Sequence, residues 1–204
     1  SCMLNAFWWL LTVEAMGLAA FPLTFRLLPR LRDRGYSVSK PLGILLIGYA
    51  SWILSQVRVL PSVRLSLIGL LLLLGGVSAL YAWLQREQLK EFIVRERRAI
   101  VAVEAVFLVV FLGWAIFRAY DPAIDHTEQP MDLAFLNASI ESSFGHPEDP
   151  WLKGETVSYY YFGYWMMGAI SQITGIASNV SYNLALALIS ALGAAGIFGL
   201  VYNM

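Results

Sequence analysis

Long apolar stretches separated by short polar segments dominate the pattern along the chain. A membrane-spanning helix needs about 20 mostly apolar residues, because each residue adds about 1.5 Å along the helix axis. Six stretches meet or approach this length, and the pattern predicts a span in each: 3–28, 41–57, 65–84, 100–117, 157–173 and 181–202. The expected fold class is therefore all-α, a polytopic bundle of about six transmembrane helices.

The segment between the fourth and fifth predicted spans, residues 118–157, has a different pattern. Residues 131–142 within it predict a short helix with proline near its first turn. Its apolar stripe consists of residues at i, i+4 and i+7 with two neighbours: Met131, Phe135, Ala138, Leu136 and Ile140. Asp132 and Ser139 lie away from this stripe, so we expect an amphipathic helix lying flat on the membrane surface.

The composition is typical of a membrane protein. Hydrophobic residues make up 58% of the 204 residues, charged residues only 14%, and the mean hydropathy is +0.63, whereas soluble domains carry about 25% charged residues. The 14 basic and 14 acidic residues cancel, so no basic field points to nucleic acid as a partner. The single cysteine, Cys2, excludes a disulfide framework and a cysteine-based zinc site. The lipid bilayer is therefore the expected partner.

The basic residues are concentrated in two of the predicted loops. Residues 26–40 and 86–98 each hold five of the 14, and the other four lie in or beside the alternate loops: Arg58, Arg64, Arg118 and Lys153. By the positive-inside rule, the two basic segments lie in the cytoplasm. The pattern predicts a multi-pass protein of the cell membrane, with both termini and the 118–157 loop on the external side.

Acidic residues and histidines are concentrated in the external loop, which holds eight of the 14 acids and both histidines. The densest part contains Asp125, His126, Glu128 and Asp132. A carboxylate pair can act as a general base with an electrostatic partner, and the same oxygens can bind a hard divalent ion. The third interpretation is a solvated acidic loop that caps the following helix, since negative charge is favourable at a helix N-terminus.

A run of aromatic residues, 159–165, opens the fifth predicted span. It begins with Tyr159, and at helical spacing Tyr160, Tyr161 and Tyr164 lie close together. One interpretation is an aromatic belt at the level of the lipid headgroups. The other is a wall for a sugar ring or a lipid headgroup, with the hydroxyls as hydrogen-bond partners.

Charged residues also border or enter the predicted spans. Glu14 and Glu104 lie inside the first and fourth spans, where ionisable groups face the protein interior and find partners. We therefore expect structural hydrogen bonds for both, with proton transport as the alternative. Arg118 ends the fourth span, where it either pairs with Asp121 or binds the phosphate of a lipid-linked donor, which a guanidinium contacts bidentately.

The last predicted span carries small residues at i, i+4, i+8 and i+12: Ala187, Ala191, Ala195 and Gly199. This spacing lets another helix approach closely. We expect the face 187–199 to pack against another membrane subunit or against further helices of a longer parent chain.

Three segments together carry a family resemblance: TEQPMDLAFLNA at 127–138, DPWLKG at 149–154 and YYYFGY at 159–164. With the stretch 17–54, they resemble the YYY family of archaeal and Chloroflexi membrane proteins, whose members are usually several times longer. That family is grouped with the GT-C type of multi-span glycosyltransferases. The resemblance implies that the chain is the N-terminal portion of a GT-C-like enzyme.

GT-C enzymes take sugar from a polyprenyl-phosphate donor at the outer face, with a loop carboxylate as base. The resemblance implies catalytic roles for Glu128 and Asp132. Because Pro130 should start the helix, both carboxylates should lie near its N-terminal end at the membrane depth of the tyrosines, and we expect them to face a shared external cavity walled by the 159–164 run. The resemblance implies substrate binding by their neighbours: Arg118, Asp125, His126, Tyr159, Tyr160, Tyr161 and Tyr164. It assigns no metal ligand and leaves any cofactor undefined. It also implies two units, a three-span bundle at 1–98 and a GT-C-like opening unit at 99–204.

The later helices that shape the donor and acceptor pockets of GT-C enzymes are missing, so the resemblance implies that the 204-residue piece alone is inactive. A function of another class stays open, namely a non-catalytic subunit packed in a larger photosynthetic or respiratory membrane complex. A lipid phosphate or sugar bound beside Glu128 and Asp132 would support the enzyme. Extensive contacts with other subunits, or with pigments, would support the structural subunit.

Overall fold

The computed structural model describes residues 2–204, in which the regular structure is helical. Seven α-helices follow one another: α1 (Cys2–Leu27), α2 (Ser39–Gln56), α3 (Arg64–Leu84), α4 (Arg86–Tyr120), α5 (Gln129–Glu141), α6 (Phe162–Thr174) and α7 (Ser178–Asn203). A single 3₁₀ turn, Tyr36–Val38, precedes α2. The predicted all-α membrane bundle is confirmed.

Five of these helices, α1 to α4 and α7, are long and apolar enough to cross a membrane. The predicted crossing at 157–173 is wrong, because α6 has only 13 residues. That length is about 20 Å, against a hydrocarbon core about 30 Å thick. Trp165 of α6 donates a hydrogen bond to Ser51 near the end of α2, and Gly175 after α6 lies against Arg64 at the start of α3. Both ends of α6 therefore lie at one end of the bundle.

The last residues of α7 lie at the other end of the bundle. Asn203 Nδ2 donates to Asp33 Oδ1 at 2.9 Å in the segment between α1 and α2. Tyr202 donates to Glu96 Oε2 at 2.5 Å in the first part of α4. An odd number of crossings would put the two termini on opposite sides, so the five candidate helices favour that arrangement over the prediction of both termini on the external side. That the basic segments face the cytoplasm stays a prediction.

One apolar core runs through the bundle and takes residues from both predicted units. Trp9 and Met16 of α1 are fully buried together with Phe107 and Phe111 of α4. The predicted boundary between residues 98 and 99 falls inside α4, which is a continuous helix. In the most apolar stretches of α3 and α4, only 11% and 17% of the residues are buried. The exposed apolar surface of these two helices is typical of helices that contact lipid.

The small-residue face of α7 packs inside this chain. Ala187, Ala191, Ala195 and Gly199 are all buried, chiefly because α4 packs along α7. Gly199 lies directly against Ser37, so the turn before α2 covers the end of this face. The prediction that the face at 187–199 packs against another subunit or further helices is therefore wrong, because α4 and this turn already occupy it.

A cluster of charged side chains lies where α1 and α2 pack closely together. A Cβ atom at Gly43 would collide with the backbone carbonyl of Met16, so only glycine allows this approach. Beside it, Lys40 Nζ lies 3.3 Å from Glu14 Oε2 and also pairs with Glu104 of α4. We call Glu14, Lys40 and Glu104 the ion cluster. Both glutamates thus have the interior partners that their position in the spans predicts.

Candidate functional site

Helix α5 carries the carboxylate predicted to be catalytic. The predicted helix at 131–142 is confirmed as Gln129–Glu141, with Pro130 in its first turn. Asp132, Leu136 and Ser139 share one face by i, i+4 and i+7 spacing, and Leu136 and Ser139 are buried. This face contacts α6 and α7. The sequence predicts that Asp132 and Ser139 lie on the face of α5 that does not pack. That prediction is wrong, because this face packs against other helices of the bundle.

Two tyrosine hydroxyls hold the Asp132 carboxylate. Tyr164 of α6 donates to Oδ1 at 2.5 Å, and Tyr182 of α7 donates to Oδ2 at 3.2 Å. Burial and the hydrogen bond to Asp132 raise the pKa of Tyr164. Its phenol therefore keeps its proton at neutral pH and stays a donor. The two bonds fix the plane of the carboxylate and leave lone pairs on both oxygens.

Asp132 stands at one end of an apolar groove of about 600 Å³, which we call the Asp132 groove. Along α7 its lining extends from Tyr182 to Leu192, or about 15 Å. The other apolar walls come from α2, α6 and α7: Ile44, Leu45, Phe162, Met166, Met167, Leu186 and Ile189. The groove therefore combines a long apolar channel with one carboxylate and the hydroxyls of Tyr160 and Tyr164 at its end.

Glu128, the second carboxylate predicted to be catalytic, lies outside this groove. It directly precedes α5, its side chain is exposed, and it makes no cap hydrogen bond. The expectation of a cavity shared by both carboxylates and walled by tyrosines therefore holds for Asp132 and not for Glu128.

The tyrosines of the 159–164 run face two directions. Tyr159 and Tyr160 are exposed and stack at 4.0 Å between ring centroids, and their hydroxyls are 2.6 Å apart. This hydrogen bond raises the pKa of Tyr159 to about 12. Tyr161 is buried and accepts a hydrogen bond from Trp52 at 2.8 Å. Tyr161 and Tyr164 pack in one cluster, as the sequence predicts, but α6 begins after Tyr161 and the two hydroxyls have different partners.

Asp125 and His126 form a separate, exposed cluster. His126 Nε2 lies 3.4 Å from Asp125 Oδ1 and 3.6 Å from Asp121 Oδ2. Across residues 2–204, no group of three His, Cys, Asp or Glu side chains is placed to hold a metal ion. The side chains that hydrogen-bond to the Asp132 carboxylate are Tyr164 and Tyr182. Asp125 and His126 are not among its partners.

Arg118 is buried at the end of α4, with 6% of its surface exposed. Its Nε donates to Asn183 Oδ1 at 2.7 Å and its Nη2 to the carbonyl of Ala123 at 2.8 Å. The side chain that binds Arg118 therefore belongs to α7, and it is not Asp121, the ion-pair partner that the sequence offered. Asn183 directly follows Tyr182, so adjacent residues of α7 hold Arg118 and Asp132.

Sequence reasoning missed Tyr182 as a partner of Asp132. The two residues are 50 positions apart, and Tyr182 lies at the start of an ordinary apolar span. A weak signal was present, because Ser181, Tyr182 and Asn183 form a polar group where that span begins. Polar residues at the end of a membrane helix often form hydrogen bonds with polar residues of the loops.

One family model matches most of the chain. Its description is "uncharacterized membrane protein (DUF2298)", and it matches residues 46–204, which contain α5, α6 and α7. No curated protein and no solved structure matches the chain. The match includes Asp132 and both tyrosines that hold it.

Proposed function

From the premise that the chain belongs to the DUF2298 family of membrane proteins, we propose that it binds a polyprenyl-phosphate-linked sugar as part of a glycosyltransferase-like enzyme. The observation that carries this proposal is the Asp132 carboxylate at the polar end of the 600 Å³ apolar groove. A lipid-linked sugar has one long apolar chain and one polar head. The groove offers a complementary surface to each half.

Asp132 is the general base of the proposed reaction. An acceptor hydroxyl attacks the anomeric carbon of the sugar, and the bond from that carbon to the phosphate oxygen breaks. The electron pair leaves with the phosphate, and the acceptor proton passes to Asp132. Tyr164 and Tyr182 orient the carboxylate, which keeps lone pairs for the acceptor.

The apolar part of the groove positions the lipid chain. Met166 and Met167 have flexible side chains that adapt to an irregular chain such as an isoprenoid. Leu45 and Ile189 are exposed on membrane-crossing helices, so the groove opens towards lipid. Because bilayer lipid is as apolar as the groove, the groove contributes orientation more than hydrophobic affinity.

The remaining predicted residues keep supporting roles in this proposal. Tyr160, which lines the groove and is 76% exposed, contacts the head of the donor. Glu128 stays a predicted second carboxylate, Arg118 a predicted contact of the phosphate, and Asp125 and His126 predicted substrate-binding residues.

Photolabelling tests the lipid site. The chain is placed in nanodiscs with a polyprenyl phosphate that carries a diazirine on its isoprenoid chain, and labelled peptides are identified by mass spectrometry. Label is expected on α2, α6 and α7. Ile189→Trp fills the groove and should reduce this label by about tenfold. Ile197→Trp, on the same helix and also exposed, is the matched control. Label that is spread over all helices, or insensitive to Ile189→Trp, contradicts the site.

A transfer assay in native membranes tests the base. Asp132→Asn removes the base and keeps the shape, so we expect a rate loss of about a hundredfold or more with unchanged photolabelling. Glu155→Gln, at an exposed carboxylate of the same loop, should leave the rate unchanged. Full activity in Asp132→Asn would refute the role of Asp132. The non-catalytic subunit instead predicts no groove labelling and stable co-purification of partners along α3 and α4.

A further inference from the structure

A second cavity lies on the opposite side of α5 from the Asp132 groove. It has a volume of about 910 Å³ and is formed by α5 and residues 142–153, and we call it the loop cavity. Ala134, Ala138 and Glu141 line it at i, i+4 and i+7 spacing. Asp132 lies on the other face of the helix. The two cavities are therefore separate sites.

The loop cavity contains polar side chains that the fold does not use. Glu148 and Asp149 accept hydrogen bonds from three backbone N–H groups of the loop and so hold its shape. Asn137, Glu141 and Lys153 line the cavity and have no hydrogen-bond partner within residues 2–204. They supply an amide, an acceptor and a cationic donor for a ligand.

His146, which also lines the cavity, is oriented by a chain of hydrogen bonds. Trp52 Nε1 donates to the Tyr161 hydroxyl, which lies 2.6 Å from His146 Nδ1. This hydrogen bond, in which the hydroxyl and the ring nitrogen can each donate or accept, fixes the orientation of the imidazole ring. Tyr161 is buried, so this orientation is built into the fold.

Trp151 adds an aromatic face. The side chain is 61% exposed, and its ring packs edge-on against Phe135 at 5.5 Å between centroids. The ring is thus held in place with much of its surface open. An aromatic face stacks on the C–H groups of a sugar ring, whose hydroxyls then reach the surrounding polar groups.

We propose that the loop cavity binds a neutral carbohydrate. Three carboxylates line it against Lys153 as the permanent cation, which disfavours an anionic ligand. The cavity is lined by hydrogen-bond donors and acceptors beside two exposed aromatic rings, Phe144 and Trp151, and hydroxyl groups, which both donate and accept, can pair with either kind of group. The volume falls in the upper part of the range of about 300–1,000 Å³ for small-ligand pockets, so an oligosaccharide fits better than a single sugar.

Binding in the loop cavity does not depend on catalysis at Asp132. Trp151 is the stacking residue, and Asn137, Glu141 and His146 are hydrogen-bonding residues. Tyr161 is a positioning residue, because it acts on the ligand only through His146.

Saturation-transfer NMR with the chain in nanodiscs tests the site. The probes are four neutral disaccharides, namely maltose, cellobiose, lactose and chitobiose, with glucose 6-phosphate as the anionic comparison. We expect saturation of at least one neutral disaccharide, and Trp151→Ala should weaken its binding by about tenfold. Trp83→Ala, an equally exposed tryptophan at the other end of the bundle, should have no effect. Asp132→Asn should bind as the native chain does, whatever its effect on transfer.

The orientation of His146 has its own spectroscopic test. The chain has two histidines, so ¹⁵N-labelled imidazoles give few signals, and His126→Gln assigns them. Tyr161→Phe removes the hydrogen bond to Nδ1, so it should shift the imidazole ¹⁵N signals of His146 and weaken disaccharide binding. Absence of binding by every neutral probe, preference for glucose 6-phosphate or for an added peptide, or unchanged binding in Trp151→Ala would overturn the proposal.

Discussion

Replacement of Lys40 by methionine tests how the ion cluster stabilises the bundle. Methionine keeps the length of the side chain and removes its charge, which leaves Glu14 and Glu104 together without a cation. The Lys40 side chain is only 7% exposed, with Nζ at 3.3 Å from Glu14 Oε2. Removal of one partner from a buried ion pair costs about 3–5 kcal/mol, because the other charge stays buried and unpaired.

The expected loss lies at the lower end of that range. The side chains of Glu14 and Glu104 are 31% and 23% exposed, so water relieves part of the repulsion. We expect Lys40→Met to lower the free energy of unfolding by about 3 kcal/mol, or about a hundredfold in the equilibrium constant. Equilibrium unfolding in mixed micelles, followed by fluorescence of the seven tryptophans, measures this change.

Two further variants make the result decisive. Lys90→Met removes an exposed lysine 3.5 Å from Glu87, where both side chains are at least 70% exposed, and should cost below about 1 kcal/mol. Adding Glu104→Gln to Lys40→Met removes the excess negative charge and should recover at least half of the loss. If Lys40→Met is no less stable than Lys90→Met, the ion cluster does not stabilise the fold and our reasoning is wrong.

Two other predictions concern helix contact and topology. Gly43→Ala places a methyl group against the backbone of α1 and should destabilise the chain by about 1–3 kcal/mol. Gly76→Ala points into open space and should gain up to about 1 kcal/mol; equal effects in micelle unfolding would contradict this contact. In a chain without its native cysteine, Arg30→Cys and Met204→Cys should react with an impermeant reagent from one side of the membrane, and Ser143→Cys from the other. Joint labelling of Met204→Cys and Ser143→Cys would exclude five crossings.

The crossing helices could be predicted because bilayer thickness fixes the length of an apolar run. The same rule failed for α6, whose apolar sequence has another cause. Trp165, Met167 and Ile170 are buried by neighbouring helices at one end of the bundle. Burial among helices and contact with lipid select the same residue types, so composition alone does not separate them.

The candidate site was predictable only in its local part. Asp132 could be predicted because it lies in the acidic loop, but its partners are distant: Tyr182 is 50 positions away. Lys40 was assigned to a cytoplasmic basic segment by its charge, yet its partner Glu104 is 64 positions away and draws it into the bundle. Small residues on α7 predicted that a helix packs there, and nothing local indicated that the helix is α4.

The hydrogen bonds of α7 have a mechanical consequence. Tyr182 and Asn183 are adjacent, so they project about 100° apart and hold Asp132 and Arg118 from two sides. Rotation of α7 about its axis would therefore disturb the hydrogen bonds to both Asp132 and Arg118. At its far end, about 30 Å away, Asn203 is tied to the segment between α1 and α2. Hydrogen bonds thus hold both ends of α7, so neither end of this helix turns freely.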